Sequence, residues 1–307
     1  MRFVRFEYPG RGPSLGVVRD GPEEWVADLT AVDPVRFASP LPWLRGLARG
    51  GLPAQEVGHA LDDALAVAPR VATLAQLEAG LALLPPVAAP EVWAAGVTYA
   101  RSRDARDQEA RSAPGGEAHT AYDRVYGAER PELFFKATGD RLRGPGSPVG
   151  LRGDSRWQVP EPELALVLDE DGSVLGYTLG NDLSCRDIEG ENPLYLPQAK
   201  IFRNSCALGP TVLAVDEAVA AGGFPVACTV WRASAAVWTA ETHTAQMRRS
   251  FAELAGYLLR HNWLPAGSVL LTGTGVVPPD DFTLRPGDEI CISSPAIGTL
   301  RNIARTV

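Results

Sequence analysis

Residues 157 to 187 read WQVPEPELALVLDEDGSVLGYTLGNDLSCRD, and both the fold and the chemistry of the chain turn on how this stretch pairs with itself. Glu161 and Glu163 stand at the mouth of an apolar run, where alternation favours residues that can be buried. A strand points residues i and i+2 to one side, so the two carboxylates share a face and repel each other unless a cation lies between them. Asp171-Gly172 suits a two-residue type I′ turn, in which both positions take positive φ. Folded there, Glu170 faces Ser173 and position i opposes 343 minus i, which sets Glu161 across from Asp182 and Glu163 across from Gly180. Directly opposed residues of an antiparallel pair share a face, so three carboxylates converge beside a glycine. A three-residue loop at the tip would destroy that parity. Three carboxylates without nitrogen or sulfur form a hard-oxygen set that suits Mg²⁺, with Mn²⁺ or Ca²⁺ as alternatives, rather than zinc.

Length and composition point to a soluble globular protein. Its 307 residues and 45% hydrophobic content provide for a sizeable core. The 37 acids against 29 bases leave a formal charge of −8, with no basic stripe for nucleic acid. No apolar run approaches the length of a membrane span and the N-terminus has no secretory h-region, so a cytoplasmic setting is expected. Cys185, Cys206, Cys228 and Cys291 lie far apart without CxxC spacing and read as buried, reduced thiols.

Met1 to about Thr30 alternates in short runs between Gly and Pro turns, a small β meander, and helical spacing follows in PAQEVGHALDDALAV and VATLAQLEAGLALL. A Pro/Ala-rich passage near residues 85 to 91 marks a boundary, dividing the chain into a small N-terminal α/β domain, 1–88, and a catalytic domain, 89–307. Residues 101 to 130 are densely charged and read as an exposed helix and loop or as a lid. Beyond Pro131 short strands dominate, including SVLLTGTG, with one helix in MRRSFAELAGYLLRHN. The fold class is α+β, strand-rich and mixed.

A divalent ion on three carboxylates keeps open positions that the carboxylate and keto oxygens of a 2-oxo acid can fill, which acidifies C3. That chemistry needs a base. Lys200, in ENPLYLPQAKIF, is the only lysine after Lys136 and lies in a largely apolar, Pro-bounded stretch where burial favours the neutral amine. Glu132, in RPELFFKATGD, can serve as the acid for a leaving hydroxyl.

PELFFKATGD, PEPELALVL, GYTLGNDLSCRD, LTGTG and RPGDEICISSPAIGTLRN resemble the fumarylacetoacetate hydrolase superfamily over most of residues 92 to 307. The resemblance implies a mixed β-roll with metal at its open end, Glu161, Glu163 and Asp182 as ligands, and a homodimer, to which the aromatic strands around Trp231 and Trp238 are expected to contribute. Within the family, ENPLYLPQAKIF looks most like the 2-keto-3-deoxy-D-arabinonate dehydratase branch, which implies catalytic roles for Lys200 and Glu132. Hydrolytic members carry a His and Glu pair in N-Y-x-x-H-x-x-E; here the segment is TYARSRDA, with Ser102 and Ala105 at those places. Without that base the water-activating half of a hydrolysis is missing. His119 is a candidate substitute, and Arg101, Ser102 and Thr274 are candidates for holding the substrate. The expectation is a Mg²⁺-dependent dehydratase of a 2-keto-3-deoxy sugar acid. The alternatives are a C–C hydrolase or decarboxylase of acylpyruvate or oxaloacetate type, and a non-catalytic metal-binding protein.

Overall fold

A computed structural model describes residues 1–80, 82–102, 104, 121–215 and 221–307. His119 and Ala105, and most of the segment expected to be a lid, lie outside the described residues. One long mixed sheet of 11 strands carries the site. At its centre Pro162–Leu168 is antiparallel to Val174–Asp182 on one side and to Ser268–Leu271 on the other. Ser268–Leu271 runs parallel to Glu91–Gly96, which is antiparallel to Glu132–Thr138. In the other direction Val174–Asp182 pairs with Cys206–Ala214, and that strand pairs with Arg2–Tyr8. The meander Arg2–Tyr8, Gly12–Arg19, Trp25–Asp28 therefore extends the same sheet.

Pro162–Leu168 is buried along its whole length because both faces are covered. Leu164, Leu166 and Leu168 pack with Val230, Ile290, Ile292 and Leu300, which belong to a second sheet of five strands. Ala165 and Val167 face the other way, into a core shared with Trp43, Leu44 and Leu61 of the helices Leu41–Ala48 and Gly51–Val67. Glu161 and Glu163 continue the Ala165–Val167 row beyond its end. Two local expectations are revised. The helix expected in VATLAQLEAGLALL shrinks to Leu74–Ala79, capped by Thr73 and Gln76, because Arg70–Thr73 is recruited as an edge strand. In SVLLTGTG only Ser268–Leu271 is strand; the TGTG portion turns away to build the site.

The hairpin register holds from Pro162↔Asn181 to Val167↔Gly176, each pair summing to 343. Its tip is different. Asp169 N–H donates to Ser173 O at 2.9 Å and Gly172 N–H to Asp169 O at 3.0 Å, a three-residue loop in place of the two-residue type I′ turn. Asp171 does not take positive φ, and Gly172 alone does, at 82°. Leu168 accordingly pairs with Val174, one residue out of step, and an irregularity between Val167 and Leu168 takes up the slack beside Leu175. Two irregularities cancel, and the parity of the carboxylates survives.

Candidate active site

Glu161, Glu163 and Asp182 each offer an oxygen within 4.8 Å of the others'. All three are buried, at 4%, 2% and 1% exposure. Asp182 N–H donates to Glu161 O at 3.0 Å, so the pairing runs one step past the strand itself. Two unit charges 4.8 Å apart repel by about 3.5 kcal/mol at an effective dielectric of about 20. Three uncompensated pairs would cancel much of the roughly 5–15 kcal/mol of a typical fold. Cations must therefore enter the cluster.

Two lysines and an arginine do so. Lys200 Nζ lies 2.6 Å from Glu161 Oε2, 2.9 Å from Asp182 Oδ2 and 2.6 Å from Ser184 Oγ. Ser184 spends its own proton on Asp182 O at 2.9 Å, which makes its oxygen an acceptor for the lysine. Lys136 Nζ stands 2.5 Å from Asp182 Oδ1, and Arg186 Nη1 3.0 Å from Glu161 Oε1. Glu163 is treated differently. It accepts one hydrogen bond, from Gly273 N–H at 2.6 Å, and no cation pairs with it among the described residues. Burial, followed by the charges of Asp182 and Glu161, holds its carboxyl well above the usual carboxylate range. A cluster of hard oxygens, one of them short of positive charge, fits a divalent cation.

The trio lines one cavity, about 380 Å³ including solvent at its mouth, together with Lys200, Glu132, Ser102, Thr274, Arg186, Glu189 and Phe134. Glu132 reaches it because Gly96, its direct partner across the strands, has no side chain: a Cβ there would fall 2.0 Å from Glu132 Oε2. The next residue, Val97, holds φ at 52° and also lines the cavity. A β-branched residue in the left-handed region is strained, and here it ends the strand and turns the chain around the site. Ser102 Oγ donates to Tyr99 O at 3.3 Å, and Thr274 Oγ1 to Val276 O at 3.1 Å. Arg101 is exposed and is absent from the cavity wall. No histidine lines the cavity among the described residues. Arg186 and Glu189 are additions to the expected set; both lie on the helix Arg186–Glu191, three residues apart and on one face.

Residues 92–305 match the fumarylacetoacetate (FAA) hydrolase C-terminal family. The chain belongs to this family. A Haloferax volcanii protein named probable 2-keto-3-deoxyxylonate dehydratase is 47% identical over 222 residues, 72% of this chain and 74% of that protein. The 2-dehydro-3-deoxy-D-arabinonate dehydratase of Saccharolobus solfataricus is 42% identical over 215 residues, 70% of this chain and 72% of its own length. A solved structure of 2-keto-3-deoxy-D-arabinonate dehydratase, complexed with magnesium and 2,5-dioxopentanoate, is similar over 100% of this chain and 99% of that one, with TM-score 0.82 and 32% identity. The sheet-rich fold of the family is the fold described above.

Proposed function

We propose that this protein is a magnesium-dependent hydro-lyase that removes water from a 2-keto-3-deoxy sugar acid, such as 2-keto-3-deoxy-D-arabinonate, to give 2,5-dioxopentanoate. The observation that carries the reading is the meeting of Lys200 and Glu132 in one cavity with three buried carboxylates. The dehydratases to which the chain is similar support it. Glu161, Glu163 and Asp182 hold the ion. Bound there, magnesium supplies the positive charge that acidifies C3 of a 2-oxo acid. Lys200 takes the C3 proton. Glu132, protonated, gives a proton to the C4 hydroxyl, which departs as water and leaves a C3–C4 double bond. Loss of a proton from C5 and its return to C3 give a C4–C5 enol, and transfer of the enol hydroxyl proton to C4 completes the C5 aldehyde. Ser102 and Thr274 line the cavity and face the substrate, whereas Arg101, exposed and absent from the lining, takes no part in this reading.

The test follows exchange and elimination separately. Lys200→Met abolishes water loss and also stops exchange of the C3 protons with deuterated water, read by NMR. Glu132→Gln blocks water loss and leaves the exchange running. Near-wild-type turnover in Lys200→Met overturns the assignment, and C–C cleavage with the C4 hydroxyl retained replaces the dehydratase reading by a hydrolase.

We also propose a cytoplasmic homodimer. Support for the cytoplasm comes from four free, buried cysteines. For the dimer, Trp231 remains 39% exposed beside the edge strand Ala235–His243. Trp238 is committed to the core against Phe282, ring centroids 5.7 Å apart. A monomer in light scattering at micromolar concentration refutes the dimer.

A further inference from the structure

The chain has two lysines, Lys136 and Lys200, and both reach Asp182. Lys136 lies on Glu132–Thr138, on the same face as Glu132 and Phe134, but it is 0% exposed and stands behind the cavity wall. Its Nζ meets three oxygens: Lys200 O at 2.6 Å, Leu183 O at 2.9 Å and Asp182 Oδ1 at 2.5 Å. An ammonium has three protons to give, and three acceptors surround this one. The contact to Oδ1 is an ion pair and not an aligned hydrogen bond, since that oxygen has no donor in hydrogen-bonding alignment.

The same pattern recurs around the trio. Each carboxylate has one oxygen tied back to the protein: Asp182 Oδ1 to Lys136, Glu161 Oε1 to Arg186, and Glu163 Oε2 to Gly273 N–H. That leaves Asp182 Oδ2 and Glu161 Oε2, both now on Lys200, and Glu163 Oε1. A carboxylate oxygen already paired with a cation or an N–H is the weaker ligand, so each of the three offers an ion its other oxygen first. Magnesium asks for six ligands in a near-ideal octahedron, whereas calcium takes six to eight and readily accepts both oxygens of one carboxylate. For Asp182 to chelate through both, Oδ1 would have to leave Lys136, stranding a buried ammonium with two carbonyls and no counter-charge.

We propose that Lys136 is a positioning residue that holds Asp182 to a single metal-binding oxygen and thereby sets the preference of the site for magnesium over calcium. The inference rests on the magnesium reading above. By holding Lys200 O as well, Lys136 fixes the end of the short helix Leu196–Lys200 to the same point, so the base and the ligand move together.

The test is calorimetric titration of the metal-stripped full chain with Mg²⁺ and, separately, Ca²⁺. In Lys136→Met the ratio of calcium to magnesium affinity is expected to rise about tenfold or more, because Asp182 becomes free to chelate. Should Lys136→Met fail to fold, Lys136→Gln, which drops the charge and keeps a donor for the carbonyls, is read in the same way. General loosening of the fold weakens both ions alike and leaves the ratio unchanged, and that result overturns the proposal. A wild-type chain that binds neither ion overturns the magnesium reading itself. Wild-type binding with an unchanged ratio in the variant overturns only the clamp.

Discussion

Gly96→Ala separates the catalytic geometry from the fold. The added Cβ would lie 2.0 Å from Glu132 Oε2 and 2.5 Å from its Cδ. To reach an ordinary contact of 3.4 Å the carboxylate has to withdraw by about 1.4 Å, the difference of the two distances. Alanine has the backbone conformation available, since Gly96 is not at positive φ. The atoms that must yield are the end of a flexible side chain, so the fold should survive with its melting temperature changed by a few degrees. Glycine within a strand is worth roughly 0.5–1 kcal/mol less than alanine, which offsets part of the strain. Catalysis should not survive as well. A misplacement of about 1 Å can cost about a hundredfold in rate, so kcat is expected to fall by roughly two orders of magnitude, or about 2.7 kcal/mol. Lys200 and the three carboxylates are untouched, so C3 exchange with deuterated water should persist at close to the wild-type rate. The assay is proton NMR in deuterated water, following C3 exchange and aldehyde formation in one sample. Wild-type kcat in Gly96→Ala, or loss of exchange in step with turnover, would refute the placing of Glu132 as the acid.

Added Mg²⁺ should raise the melting temperature of the metal-stripped protein, by about 2.7 kcal/mol of stabilisation at a hundredfold excess over Kd, and Asp182→Asn should remove most of that shift; equal shifts in both proteins would count against the ligand set. Burial pushes the Cys185 and Cys291 thiols up to about 11 and Cys206 up to about 12, with Cys228 raised further, so thiol reagents at pH 8 should label the native protein very slowly and the unfolded chain at all four positions. The linkage has a definite sign: the unfolded thiols lose their protons first, from about pH 9, so denaturant stability should fall as pH rises from about 9 toward 11, and a flat profile there would contradict the burial.

What was legible in the sequence was mostly parity. Glu161, Glu163 and Asp182 could be brought together by counting along a hairpin, because side chains alternate with period two and burial on both faces forbids slippage. The tip escaped that reading. Its three-residue loop depends on neighbours remote in sequence: a Cβ at Gly172 would meet Leu259 Cδ1 at 2.1 Å, and Arg45 forms an ion pair with Asp169 across 124 positions. Arg186 stands inside the quoted GYTLGNDLSCRD segment, and Glu189 follows it at helical spacing, so a signal for both existed. Lys136 shares the strand face of Glu132 by the same count of two. Its acceptors, however, come from Leu183 and Lys200, 47 and 64 residues away, and no local pattern announces them. The pairing of Arg2–Tyr8 with Cys206–Ala214 is of that non-local kind too.

Charge explains why the metal and the substrate belong to one device. Among the described residues five carboxylates line the cavity, those of Glu132, Glu161, Glu163, Asp182 and Glu189, with Lys200 and Arg186 beside them and Lys136 directly behind the wall. Among the described residues the three cations leave a formal excess of −2, and burial holds the Glu163 carboxyl above the usual carboxylate range. A 2-oxo acid anion entering such a cavity would be repelled, at low effective dielectric, by charges a few ångströms away. A divalent ion held by Glu161, Glu163 and Asp182 would bring that count to zero and would supply positive charge for the anion. The buried acids that make the site costly to fold are therefore also what makes substrate binding conditional on the ion. With one oxygen of each of Asp182, Glu161 and Glu163 held by the protein, these three carboxylates would hold the ion while leaving it room for the oxygens of a 2-oxo acid.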